Sequence, residues 1–396
     1  MDLSLTPPAR FADALDQLHE TVSMTSGLTD FGPSDYLPGL TMLLQSMDYD
    51  PRFSETGRRA AWGMVAGVLR GRAQAVASMK ANPGFDRHPI VSPVVITGVP
   101  RTGTTALHRL LAVDPRFQGL QTWLLDSPMP RPPIETWGDY PEFRASAKLL
   151  EAQYEASPET RAMHFRAAEE VHECCMVMRQ SFVSNLWTCG WSAASYDAWW
   201  QCQSEEAAYA HYRRCVALIG STEPDKRWLL KNPGHIDTLD LLLAVFPDAK
   251  VIQTHRDPAK AVPSLVSLLM RMHPIMEDGR TEERGKIMLR REVAKWSAAV
   301  RRCDAVRANH PGQVLDVVHA DFHARPMEVV ESIYAFIGMD IPEDTRAALA
   351  RRIAEKPELQ HGAHRYDTRD YGMSEEEARE PFGDYVSRFD LVEKKR

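Results

Sequence analysis

The stretch ITGVPRTGTTALHRLL, residues 96–111, has the residue types to hold an anion. Gly98 and Gly103 stand at the spacing of a nucleotide phosphate loop, G-x-x-x-x-G-K-[ST], whose glycines let the backbone turn and aim successive N–H groups at one phosphate. The lysine of that pattern is missing. Thr104 and Thr105 follow Gly103, and the cation of the loop is Arg101. In nucleotide hydrolases that lysine meets the β- and γ-phosphates and the hydroxyl after it holds magnesium, so its loss speaks against ordinary ATP hydrolysis. The planar fork of Arg101 suits instead the bridging oxygen and leaving group of a transferred SO₃ or PO₃ unit. Pro100, Thr102, Thr104 and Thr105 complete the loop, the threonines adding hydroxyl donors and the helix start its dipole. The plainer reading is a glycine turn with an incidental arginine.

A second basic motif, THRDPAKAVPSLVSLL at residues 254–269, sets Arg256 and Ser264 eight residues apart. Arg256 is expected at the carboxyl end of a strand and Ser264 two turns into the next helix, so both reach for a second phosphate. Alone, Asp257 reads as a helix N-cap and Arg256 as its surface partner. With the glycine loop upstream, two anion sites on one sheet fit a nucleotide that carries phosphates at both ends.

The elements that must position these residues follow from periodicity. VVIT, residues 94–97, reads as a strand, and Leu107, Leu110 and Leu111 share a helix face after the loop. Strands are expected at 228–230, 251–254 and 314–318, and helices at 236–246, from Pro258 with a kink at Pro263, and at 327–338 ending on glycine. Short apolar strands alternating with helices imply an α/β class, a P-loop-like three-layer fold with a central, mostly parallel sheet flanked by helices. Residues 1–88 form an N-terminal helical extension, with Phe11, Leu15, Leu18 and Val22 on one face and Trp62, Val65, Val68 and Leu69 on another. Residues 89–396 form the α/β domain. An insertion at about 115–220 shows no strand alternation and is expected to be helices and loops.

Taken together, these motifs resemble those of the PAPS-dependent sulfotransferases, whose donor is 3′-phosphoadenosine 5′-phosphosulfate and whose nucleotide product is PAP. The family's P-[KR]-[ST]-G-T-T loop is matched by Pro100, Arg101, Thr102, Gly103, Thr104 and Thr105, its 3′-phosphate Arg and Ser by Arg256 and Ser264, and its strand lysine by Lys231 in WLLKNPGH. The arginine loop is similar to that of protein-tyrosine, carbohydrate and many bacterial members. The likeness covers about residues 90–390. It implies in-line transfer of a sulfuryl group, without a metal, to the hydroxyl of a small acceptor, with loop amides, Arg101 and Lys231 stabilising the leaving group. Two places depart from the family. The histidine that follows the lysine by two residues in the cytosolic aryl and steroid enzymes is here Pro233, and the C-terminal cofactor clamp has only HGAHRY, residues 361–366, as a counterpart, with Arg365 as the candidate contact.

The base is then sought elsewhere. Glu173 lies in AAEEVHECCMVM, read as a helix that puts Glu169 and Glu173 on one face, beside apolar residues where desolvation raises a carboxylate toward the range a base needs. His235, in KNPGH, follows the lysine strand and has the natural pKa for the task; His164 stands behind both. The acceptor site is expected among Met163, Phe165, Met176, Met178, Phe182, Trp187, Trp191, Trp199 and Trp200, which serve equally as helical core. Rival classes are a P-loop kinase or NTPase, and a nucleotide-binding module without turnover. A net charge of −7 argues against a nucleic-acid partner. His319/His323 and His361/His364 lack a third metal ligand at suitable spacing. Six cysteines without metal or redox spacing, no leader and no run long enough for stable membrane insertion give the expectation of a cytoplasmic protein.

Overall fold

A computed structural model describes residues 5–156, 166–355 and 367–392. The chain divides into two compact units, one made of Met1–Pro89, Leu120–Pro224 and Arg271–Gly279, the other of Ile90–Gly119, Asp225–Met270 and Arg280–Arg396.

The first unit is helical. Its amino-terminal helices are Leu15–Ser26, Leu37–Tyr49 and Glu55–Ala81, the last capped by the Ser54 hydroxyl, which accepts the Gly57 amide. Leu18, Val22, Trp62, Val65 and Leu69 all turn into one core, as their spacing predicts. Phe11 joins that core from outside the first helix, which starts only at Leu15. The same core takes in Phe182, Trp187, Trp191 and Trp200, so these four members of the expected acceptor set are packed against the unit's own helices. Met176 and Trp199 are half-buried. Met163, His164 and Phe165 lie outside the described residues.

The second unit carries a five-stranded sheet, every pairing parallel, in the order β2-β3-β1-β4-β5. The strands are β1 Val94–Gly98, β2 Phe117–Gln118, β3 Arg227–Lys231, β4 Lys250–His255 and β5 Val314–Val318. Because side chains alternate across a strand, Val94, Ile96 and Ile252 enter a core with Leu107, Val330 and Leu349. On the opposite face Gln253 meets Cys303 and Arg307 of the helix Thr281–Arg307. Helices thus cover both faces, as a parallel sheet requires.

Three local expectations change. The insertion does contribute a strand, β2, whose two residues are too few to show alternation. The helix foreseen at 236–246 is a 3₁₀ turn, Pro233–Ile236, followed by a shorter helix, Leu239–Val245. Asn232 accounts for the break: its side-chain oxygen accepts the Gly234 amide at 3.0 Å and caps the turn. The helix after Asp257 spans Pro258–Met276, so Pro263, where a kink is expected, lies within it and does not end it. Among the described residues, no helix is long and apolar enough to cross a membrane.

Candidate active site

In the second unit the glycine loop leaves the carboxyl end of β1, the central strand, where open parallel sheets place their ligands. Gly98 has φ 144°, and a Cβ there would stand 2.5 Å from the Thr254 carbonyl oxygen, so only glycine lets the loop leave this close to β4. Arg101 itself adopts φ 71°, a left-handed backbone that costs a non-glycine residue on the order of 1 kcal/mol and that recurs at ligand loops. Gly103, at φ 94°, opens the helix Thr104–Leu111. The buried Thr102 hydroxyl donates to the Val99 carbonyl at 2.7 Å and lies 2.5 Å from the Thr254 hydroxyl, which pins the loop's crown to β4.

The two motifs that the sequence separates by about 150 residues meet here. Arg101 Nε donates to the Ser264 hydroxyl at 3.2 Å, and Arg256 Nη1 donates to the Arg101 carbonyl at 3.0 Å. Lys231, at the end of β3 and 1% exposed, reaches Thr105 Oγ1 at 3.2 Å. Three cationic side chains, two hydroxyls and the start of a helix therefore converge on one loop, an arrangement with the charge and the N–H groups that an anion site needs.

Asp257 is the helix N-cap, accepting the Ala259 amide at 2.9 Å. Its charge partner is Arg379 rather than Arg256, through contacts of 3.0 and 2.7 Å. His319, just past β5, lies against Gly103: a Cβ on that glycine would meet its Cδ2 at 3.2 Å. Burial, with lesser contributions from the charges of Arg256 and His323, pushes His319 down to about 3, so it is a neutral imidazole beside the loop. Sequence reasoning gave His319 and Thr254 no part in the site. Their only signal was position at a strand's carboxyl end.

Two further candidates are His235 and Glu173. His235 sits in the Pro233–Ile236 turn, fully buried. Glu173 belongs to the first unit, half-buried, and accepts from Cys175 Sγ at 3.6 Å. The helix expected around it is absent. Val171 bridges to Gln121, the His172 amide donates to the Leu120 carbonyl at 2.8 Å, and only Cys175–Met178 is helical, so Glu169 and Glu173 share no helix face. Arg365 lies outside the described residues. Among the described residues no group of three or more His, Cys, Asp or Glu could hold a metal ion.

With this geometry in hand, the sequence pattern of the sulfotransferase family matches residues 93–343. The chain belongs to that family. The structure of sulfotransferase STF1 from Mycobacterium tuberculosis, 33% identical, superposes with a TM-score of 0.84 over 94% of this chain and 99% of its own. Sulfotransferase STF9 from Mycobacterium avium, 24% identical, shares the fold, with a TM-score of 0.87 over 96% of this chain and 98% of its own. Among curated sulfotransferases, the omega-hydroxy-beta-dihydromenaquinone-9 sulfotransferases Stf3 of Mycobacterium bovis and Mycobacterium tuberculosis are each 26% identical over 200 residues, 47% of this chain. The chain spans about half the length of these curated relatives, 48%. The matched region of this chain includes all five strands, the glycine loop, Lys231, Arg256 and Ser264, and ends before residues 367–392.

Proposed function

We propose that this sulfotransferase takes its sulfuryl group from PAPS and transfers it to the hydroxyl of a small apolar or aromatic acceptor, in the cytoplasm. The observation that carries the reading is the junction of Arg101, Ser264 and Arg256, which makes one continuous anion surface from two motifs. That surface fits a donor with phosphates at both ends of its nucleoside: the loop with Arg101 and Lys231 suits the phosphosulfate, and Arg256 with Ser264 suits the 3′-phosphate. When bound, PAPS supplies a sulfuryl group on an activated phosphate anhydride. Every other contribution belongs to the chain. The loop amides and Arg101 neutralise charge that grows on the departing phosphate, and Lys231 adds a cation from beneath the loop. Acting through arginine and lysine, the site is expected to keep its activity in a chelator.

Glu173 is the proposed base that takes the acceptor's proton, because the full burial of His235 disfavours the alternative. The acceptor class is supported by the Stf3 relatives, whose name specifies a lipid with a terminal hydroxyl. Glu173→Gln is expected to lose at least about 10²-fold in rate and His235→Asn only a few-fold. The reverse order would move the role to His235. The donor is tested by a thermal-shift panel in chelator: PAPS and PAP raise the melting temperature, ATP does so far less, and NAD not at all. Stabilisation by ATP with magnesium, and none by PAP, would favour a kinase or NTPase.

A further inference from the structure

Strand β4 ends at His255, Arg256 and Asp257 follow it, and residues 367–392 of the same unit hold the two residues that flank Arg256. Arg379 forks onto Asp257, with Nε 3.0 Å from Oδ1 and Nη2 2.7 Å from Oδ2. Glu375 accepts from Arg379 at 2.6 Å and from Lys260 at 2.5 Å, so the clasp extends along the helix that Asp257 caps. The Tyr385 hydroxyl donates to His255 Nδ1 at 3.1 Å. His255 Nε2 in turn donates to Asp316 at 2.8 Å, a carboxylate gripped by Arg307 at 2.8 and 2.7 Å. Phe389 stacks on His255, ring centroids 3.9 Å apart and planes 18° from parallel.

We propose that residues 367–392 are a brace that sets Arg256 for the remote phosphate of the donor, with Arg379 and Tyr385 as its positioning residues. The inference rests on the donor reading above and extends it to residues 367–392. The hydrogen bonds run in series with matched polarity: Tyr385 O–H to His255 Nδ1, then His255 Nε2–H to Asp316. This chain requires a neutral His255, and burial lowers its pKa from the ordinary value. Asp257 and His255 flank Arg256, so the clasp on one and the stack on the other leave the backbone at Arg256 a single setting. Its guanidinium then meets the Arg101 carbonyl. Misplacement of a binding arginine by about 1 Å is enough to lose much of its effect.

The test is calorimetric binding of PAP and of adenosine 5′-phosphosulfate, which lacks the 3′-phosphate, to the full chain and to Tyr385→Phe, Arg379→Ala, Arg256→Ala and the double variant Tyr385→Phe/Arg256→Ala. The expected result is that Tyr385→Phe and Arg379→Ala weaken PAP about 3- to 10-fold, the loss that goes with one hydrogen bond, and leave adenosine 5′-phosphosulfate within twofold. Tyr385→Phe is also expected to add nothing once Arg256 is gone. Tyr385→Phe retains the ring, so the test survives if Arg379→Ala fails to fold. Equal losses for both ligands, or full additivity with Arg256→Ala, would overturn the brace while leaving the donor reading intact, provided that Arg256→Ala itself discriminates between the two nucleotides. If Arg256→Ala does not discriminate, the donor reading falls and takes the brace with it.

Discussion

Arg72 in the helical unit and Arg101 in the sheet unit put the same side chain to opposite uses. Arg72 is buried on the helix Glu55–Ala81 and fills its fork with its own fold: Nε to the Phe31 carbonyl at 2.7 Å, Nη1 to Gln180 at 3.2 Å, and Nη2 to Pro33 at 2.9 Å and Asp35 at 2.7 Å. It also lies over the Tyr36 ring, 4.5 Å from the centroid. Arg101 stands on a loop with a strained backbone, half-buried, its Nε on a hydroxyl and its carbonyl taken by another arginine. An arginine saturated by carbonyls and a carboxylate is a staple of the fold. Arginines gathered around a glycine loop and bonded to a hydroxyl and a main-chain carbonyl keep company with groups that suit an anion as well.

The contrast makes separable predictions. Arg72→Ala leaves three carbonyls without their donor and removes a contact to the exposed Asp35 carboxylate, and is expected to cost about 2–4 kcal/mol of stability by urea denaturation, with PAP affinity of the folded protein unchanged. A cost below about 1 kcal/mol would remove its structural role. Arg101→Ala is expected to do the reverse: kcat falls about 10²–10³-fold, the effect of removing one donor to developing charge, while the melting temperature holds. Arg101→Gly sharpens the point, since glycine adopts φ 71° without strain; stability should hold or rise as turnover falls. Arg101→Lys should keep part of the rate.

A smaller effect follows from pH. Burial, then the charges of Arg72 and Arg214, pushes His211 down to about 3, and its Nε2 donates to Gln180 at 2.9 Å. Since the folded value lies below the ordinary 6.5, the unfolded chain takes the proton first as pH falls. The stability is therefore intact above about 6.5 and is lost progressively toward 3, at about 1.4 kcal/mol per pH unit, or about 2 kcal/mol by pH 5. His319 and His255 have the same sign. Denaturation at pH 7.5 and 5.0 should show the loss, and His211→Gln should shrink it. A flat profile would contradict the burial argument.

Much of the sheet unit was legible because its signals are local. The β-branched runs of β1, β4 and β5, the glycines of the loop and the Asp257–Pro258 helix start each act within a few residues. The misreadings fall where long-range bonds override local pattern. Glu169 and Glu173 have helical spacing, but hydrogen bonds to Leu120 and Gln121 hold their segment extended. Trp187 and Trp191, whose composition suits a pocket or a core alike, lie in the helical core. Arg379 lies 122 residues from Asp257, and nothing in either neighbourhood announces the pair. The loop motif pointed to the proposed anion site, whereas the residues that hold His255 and Asp257 on either side of Arg256 required the fold.

The central claim is that Arg256 and Ser264 hold a phosphate at the far end of the nucleotide from the sulfuryl group. The direct measurement is calorimetry of Arg256→Ala against PAP and adenosine 5′-phosphosulfate in chelator. Loss of a charged hydrogen-bond donor should weaken PAP by about 10- to 100-fold and adenosine 5′-phosphosulfate by no more than about twofold. Equal weakening of both nucleotides would contradict the assignment.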